Sequence, residues 1–359
     1  MALPYVMTLP IHLLRTWFEQ EKRAFPWREN SSPYHVWVSE VMLQQTQALR
    51  VVEYFNKWMA LFPSVHHLAR ANEAEVLKVW EGLGYYSRAR QLLQAARTIV
   101  ERFGGEIPVD PELLAQIKGL GPYTVGAILS FGFHKRSVAI DANVVRVLTR
   151  FYEIEEDISL SKTKQHLHAI VDSILPEQES WVIGEALIEL GALVCKKKPE
   201  CEECPLKMQC KSFVHGTQQA IPVTSKKTIY ETLFRDVAVI VCDDQLLLQC
   251  GQAGKIMAGL YEFPYFAAAK NGRFPHEVEH TIQQELQLEA VFSQDFQEVK
   301  QSFTRYRVTL YPKIFTVGQV CDVPGYKWYT YEESAKLAFS SGHKKILDAY
   351  FDSEYNPRK

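Results

Sequence analysis

The sequence predicts two domains of different class: an all-α half followed by a smaller α/β half. Three observations carry this. Apolar residues recur with helical spacing up to about Cys210, a polar stretch containing Pro222 follows, and strand-like segments begin beyond it. The chain has 359 residues, enough for two separate cores.

In order along the chain, Leu13, Leu14, Trp17 and Phe18 mark an amphipathic first helix with no basic head and no cleavage-like site before it. The run VWVSEVMLQQTQ, Val36–Gln47, is helical in period but carries Glu40 among Val36, Trp37 and Leu43 at i±3 and i±4. An ionised carboxylate facing such neighbours is costly unless it is paired or used. EVLKVWEGLGYY, RARQLLQAARTIVERF, PELLAQIKGL, NVVRVLTRFY and ESWVIGEALIELGALVC continue the helical pattern, punctuated by Gly and Pro. GTQQAIPVTSKKT then reads as a linker. DVAVIVC and QLLLQC read as strands joined at Asp243-Asp244, HEVEHTIQQELQL as a helix, and RYRVTLYPKIFTV as another strand. The domain limits expected are 1–214, a linker at 215–230, and 231–359.

Formal net charge is −2, with 23 Lys and Arg against 25 Asp and Glu through Cys210 and 17 against 17 after it. Bulk charge therefore gives no support to nucleic-acid binding, which must come from local motifs. No apolar run approaches the roughly 18 residues of a membrane span. A soluble, cytoplasmic protein without a membrane partner is expected.

Four of the seven cysteines, Cys195, Cys201, Cys204 and Cys210, are spaced C-x5-C-x2-C-x5-C. That density in an intracellular chain argues for metal rather than disulfides. Zinc and iron–sulfur both accept four thiolates. With only Cys201 and Cys204 as a close pair, one loop wrapping a cubane is favoured over two opposed pairs around zinc. Cys242, Cys250 and Cys321 read as small core residues.

PELLAQIKGLGPYTVGAILSF reads as helix, Gly-Leu-Gly turn, helix, with Gly119 and Gly121 allowing close backbone approach and Pro122 suited to a first helical turn. Amides at such a helix start can hold a phosphate. Further on, SVAIDANVVRVL places Asp141 at a helix start, where it serves at least as an N-cap and should be stabilised as the anion.

Taken together, PWRENSSPYHVWVSEVMLQQT, WEGLGYYSRAR, IKGLGPYTVGA, IDANVVRV, EALIELGALVC with its cysteines, and the tail around MAGLYEFP resemble the helix–hairpin–helix DNA glycosylases that carry a 4Fe–4S cluster. Within them the resemblance is to the adenine glycosylases, the MutY family. It implies an all-α helix–hairpin–helix glycosylase fold with a 4Fe–4S loop at 195–210, followed by an α/β Nudix-like domain. The implied activity is base excision repair: flipping and hydrolytic removal of adenine opposite 8-oxoguanine or guanine in double-stranded DNA, by a monomer at the bacterial nucleoid.

By position, Glu40 matches the family's general acid, Asp141 the carboxylate that stabilises the oxocarbenium-like sugar, and Asn143 its orienting neighbour. Tyr123 stands where relatives of the endonuclease III type carry a Schiff-base lysine, which implies base release without strand cleavage. Arg28 and Glu185 match the adenine pocket, and Gln45 and Tyr85 the side chains wedged into the stack. Lys196, Lys197 and Lys198 are expected to meet phosphate, along with the Gly119–Gly121 turn. Phe303, Thr304 and Arg305 stand where the family reads 8-oxoguanine through Phe-Ser-His. The cluster ligands implied are Cys195, Cys201, Cys204 and Cys210. TIQQELQLEA offers only Glu285 and Glu289 of a Nudix metal signature, so diphosphate hydrolysis is not expected. The alternatives are an endonuclease III-like glycosylase/lyase for oxidised pyrimidines, and a non-catalytic iron–sulfur DNA-binding protein.

The residue types fit this chemistry independently. N-glycoside cleavage wants one carboxyl protonated and another ionised, and desolvation beside Trp37 and Leu43 should raise Glu40.

Overall fold

The structure, a computed structural model, describes residues 8–225, 229–252 and 254–353. The described chain divides into two compact units, residues 1–70 with 91–227 and residues 71–90 with 228–359. Residues 226–228 of the expected linker lie outside the described residues.

The first unit is helical. Helix Ile11–Glu21 buries Leu14 and Phe18 against a core that includes Val144, Leu148, Leu187 and Leu190, while Leu13 stays exposed. Helix Pro33–Leu43 begins with Ser32 as its cap, whose hydroxyl accepts from the His35 amide. Every residue from Val36 to Met42 on it is buried, so it is a core helix rather than an amphipathic one. The hairpin pairs the short helix Pro111–Ala115, capped by Asp110, with helix Pro122–Ala127, which continues as a π-helical turn, Ile128–Gly132. Gly119 takes φ +99°, and a Cβ there would meet Gln91 Cβ at 3.0 Å, so this position requires glycine. Gly121 has φ −80°, open to any residue, and faces open space where its Cβ would point.

Helices Ala142–Tyr152 and Ser180–Leu193 pack closely. At Gly191 a Cβ would meet Asn143 Cβ at 2.5 Å, so the missing side chain lets the two axes approach beside Asn143.

In the second unit the strands are β1 (Glu231–Cys242), β2 (Gln245–Cys250), β3 (Tyr261–Glu262), β4 (Tyr265–Ala267), β5 (Val291–Asp295), β6 (Val299–Phe303), β7 (Tyr306–Thr316) and β8 (Lys327–Thr330). The sheet order is β3-β2-β1-β7-β5, with β4 on β1, β6 on β7 and β8 on β2. β1 and β7 run parallel from Glu231↔Tyr306 to Val241↔Thr316. One sheet face packs Val237, Val239 and Ile314 against Ile346 and Leu347; the other packs Ala238, Ile240 and Phe315 against Val278 and Ile282 of helix Pro275–Leu286. The Asp243-Asp244 turn and the helix after it stand where the sequence indicated.

Two sequence expectations are corrected here. EVLKVWEGLGYY is helical only as far as Trp80, within helix Glu73–Trp80, because Gly82, Gly84 and Tyr85 take φ values of 98°, 72° and 49°. Cys242 is buried, but Cys250 lies exposed at the end of β2 and is not a core residue.

Residues 71–90 pack within the second unit. Lys78 Nζ donates to the Leu337 carbonyl at 2.7 Å, Tyr86 donates to the Phe339 carbonyl at 2.9 Å, and Glu81 accepts from the Phe339 amide at 2.7 Å.

Candidate active site

In the first unit a cavity of about 440 Å³ gathers Glu40, Tyr123, Asp141, Asn143, Arg28 and Glu185. They come from four segments far apart in sequence, so the fold assembles them.

Glu40 arrives on the buried helix Pro33–Leu43. Burial pushes its carboxyl up to about 7, helped by the negative Asp141 and Glu185 and opposed by a hydrogen bond from the Tyr123 hydroxyl and by Arg28. Tyr123, in the first turn of the second hairpin helix, is itself raised well above 10 by burial and by Glu40. The phenol is thus a lasting donor to Glu40 Oε2.

Asp141 caps helix Ala142–Tyr152, with Oδ1 accepting from the Val144 amide at 2.8 Å and Oδ2 from Asn143 Nδ2 at 2.6 Å. Burial raises its carboxyl above the usual value, against those hydrogen bonds and the positive Arg146. The helix-start expectation of a stabilised anion is therefore corrected in sign: desolvation at the cavity outweighs the cap. Arg146, absent from the sequence reading, fixes Asn143 through Nη2 to Oδ1 at 2.7 Å and to the Gly191 carbonyl at 2.8 Å. Its Nε donates to the Cys195 carbonyl at 2.6 Å.

At the opposite wall Arg28 reaches Glu185 at 3.3 Å and Glu189 at 2.9 Å. Glu189, also unforeseen, lies one helical turn beyond Glu185, and that i,i+4 spacing of two acids in an apolar run was the available signal. Trp27, Leu43 and Phe131 supply apolar lining.

The four cysteines of the loop converge on one small cavity with Arg150, Val194 and Pro199. Arg150 Nη1 donates to Cys195 Sγ at 3.4 Å and to the Lys196 carbonyl at 2.6 Å, so a cation braces the loop. Among the described residues no three His, Cys, Asp or Glu side chains converge as a single-ion site requires. Four thiol donors around one cavity, braced by a guanidinium, fit a multi-iron cluster of negative overall charge. Lys196 pairs with Glu200 at 2.5 Å, while Lys197 and Lys198 are exposed.

The remaining predicted residues lie outside the 440 Å³ cavity. Gln45 is exposed, with φ +58°, just after helix Pro33–Leu43. In the second unit a separate cavity of about 340 Å³ is lined by Tyr85, Arg90, Met257, Phe303, Thr304 and Ser341. Thr304 and Arg305 form the two-residue turn between β6 and β7, and Thr304 holds φ +48°, a strained value for a β-branched residue. Arg305 is not in that lining; it stacks over Tyr306 at 5.2 Å. Glu285 and Glu289 are both exposed.

Comparison with known proteins bears on this arrangement. Residues 38–173 match the HhH-GPD superfamily of base excision DNA repair proteins, and residues 236–349 match the NUDIX domain. The chain is 32% identical to the adenine DNA glycosylase of Mus musculus, over 96% of this chain and 78% of that one. It is 31% identical to the human one, over 94% and 73%, and 38% identical to that of Buchnera aphidicola subsp. Baizongia pistaciae, over 54% and 55%. Among solved structures, a thermostable thymine-DNA glycosylase superposes with TM-score 0.53 at 26% identity, over 57% of this chain and 95% of that one. An endonuclease III trapped as a covalent intermediate on DNA superposes with TM-score 0.51 at 20% identity, over 58% and 95%, a likeness of fold.

Proposed function

The chain belongs to the adenine DNA glycosylase family, and from that membership we propose that it removes adenine opposite 8-oxoguanine or guanine with Glu40 as general acid and Asp141 as stabiliser of the sugar cation. The observation that carries this is the pair of buried carboxyls on one base-sized cavity, with Glu40 held up to about 7. Near neutral pH such a group keeps a proton to give.

A flipped adenine would enter between Glu40 and the Arg28–Glu185 wall. Glu40 donates its proton to a ring nitrogen, the bond from the base to C1′ breaks with both electrons going to the base, and adenine leaves neutral. The positive charge left on the sugar faces Asp141, which stabilises it by its charge or through a transient ester, and water completes the hydrolysis. Asn143, locked by Arg146, keeps Asp141 aimed. Tyr123 offers a phenol where an amine would be needed for an imine, so base release without strand cleavage is the outcome.

Cys195, Cys201, Cys204 and Cys210 would hold the 4Fe–4S cluster, which supplies a cross-link for the loop rather than chemistry on the sugar. Lys197, Lys198 and the open backbone at Gly121 suit phosphate contact. Gln45 and Tyr85, both exposed and at positive φ, suit the wedging role. Thr304, which lines one cavity with Phe303 and Tyr85, carries a hydroxyl that suits the N7–H that distinguishes 8-oxoguanine from guanine. We further infer a monomer working in the cytoplasm at the nucleoid, because its substrate is there; none of the described helices is long and apolar enough to cross a membrane.

The test is single-turnover base release from duplexes with adenine opposite 8-oxoguanine, guanine and thymine. Adenine release in that descending order is expected. Release of an oxidised pyrimidine with no adenine release would overturn the proposal.

A further inference from the structure

Helix Ser180–Leu193 carries a second carboxylate, Glu189, that neither touches Asp141 nor has an assigned task. It is 1% exposed. Its Oε1 accepts from the Arg23 amide at 3.2 Å and from Arg23 Nε at 2.6 Å; its Oε2 accepts from Arg23 Nη2 at 3.2 Å and Arg28 Nη2 at 2.9 Å. Arg28 in turn donates through Nη1 to the Arg23 carbonyl at 2.9 Å and through Nε to Glu185 at 3.3 Å. Phe18 and Phe25 lie 5.6 and 5.3 Å from its guanidinium. Of the five N–H groups on Arg28, one on each Nη is left over, on a side chain that lines the cavity.

A single carboxylate opposite Arg28 would draw it into a two-pronged pair and use up both partners. Here two acids divide the guanidinium, and the shorter contact goes to the acid that Arg23 also anchors. We propose that Glu189 is a positioning residue for adenine selection: by clamping Arg28 to Arg23 it holds Arg28 to a single 3.3 Å contact with Glu185 Oε1, so that the Glu185 carboxyl keeps capacity for the exocyclic amine of the base, and it aims the remaining Arg28 N–H groups at the ring. The inference rests on the adenine-excision reading above.

Charge supports the geometry. Arg23 and Arg28 hold Glu189 below the usual carboxylate value against its burial, so it stays anionic. Burial raises Glu185, Arg28 opposes, and the negative Glu189 adds to the rise. A carboxyl biased toward its neutral form donates to adenine N1 and accepts from the 6-amino group, the pattern that guanine inverts.

Glu189→Gln keeps the shape and removes the charge. Single-turnover release is measured for adenine and for unsubstituted purine, which lacks the 6-amino group, with thermal melting to confirm folding. The expected result is a fall of roughly tenfold for adenine and little for purine, the loss belonging to contacts with the amine. Equal falls on both bases, or none, would overturn the proposal, since a merely structural role moves both alike. If Glu189→Gln does not fold, Arg23→Gln, at a partly exposed side chain, is read for the same narrowing of the adenine-to-purine ratio. Wild-type protein that releases no adenine would instead defeat the excision reading itself.

Discussion

Tyr123 donates its phenolic hydrogen to Glu40 Oε2; the carboxyl is buried and the tyrosine half-buried, and both line the same cavity. The bond favours the ionised carboxylate, while burial favours the protonated one and wins. The pH behaviour of the enzyme follows from that contest.

Activity should fall as pH rises through about 7, because Glu40 then loses the proton it must give. Tyr123→Phe removes the interaction that pulls Glu40 down, so the falling limb should move to higher pH, with a lower plateau from lost positioning. A single-turnover pH profile of both proteins checks this. A limb that stays in place would show that another group controls it.

Glu40→Gln should cut adenine release by about a hundredfold or more and at the same time stabilise the fold. With the folded carboxyl raised to about 7, the native state binds a proton that the unfolded chain has lost, so stability declines as pH rises from the ordinary carboxylate value toward 7. The decline is on the order of 3 kcal/mol, and the amide escapes it. Thermal melting at pH 5 and pH 8, as working values near the two ends of that window, should show the variant's advantage growing with pH.

Asp141→Asn should abolish release by roughly a hundredfold or more while leaving folding and DNA affinity intact, because asparagine also caps a helix well. Melting temperature, duplex binding and single-turnover rate are the three readings. Near-normal excision would remove Asp141 from the mechanism.

Reduction with borohydride during turnover should trap no covalent protein–DNA imine, since Tyr123 carries no amine and no lysine lines the cavity among the described residues. A trapped adduct detected on a denaturing gel would assign lyase chemistry to the chain.

Thr304→Val keeps shape and loses the hydroxyl of a residue that lines one cavity with Tyr85 and Phe303. The ratio of excision opposite 8-oxoguanine to that opposite guanine should shrink by about tenfold, the worth of one good hydrogen bond. An unchanged ratio would place recognition elsewhere.

Much of this was readable in the residues themselves. Glu40 declared itself by its apolar neighbours at i±3 and i±4, and the cysteines by their spacing. The strands flanking Asp243-Asp244 showed in their short continuous apolar runs on either side of a polar turn. What stayed hidden depends on distance along the chain. Glu189 meets Arg23 and Arg28 across 166 and 161 residues, and locally it shows no more than its i,i+4 spacing from Glu185. Arg146 likewise carries no local mark of a role, although it joins Asn143 to the cysteine loop. The sign of the Asp141 shift was missed because a cap is local and burial is not. Where β7 lies parallel to β1 was equally beyond local pattern.

The helix Pro33–Leu43, buried from Val36 to Met42, has a consequence for anyone who evolves this protein in the laboratory. A selection for heat resistance alone would reward replacement of its one acid by a neutral or apolar residue, and the winners would be well folded and inert. Under the proposed mechanism, activity and heat resistance thus pull in opposite directions at this one position.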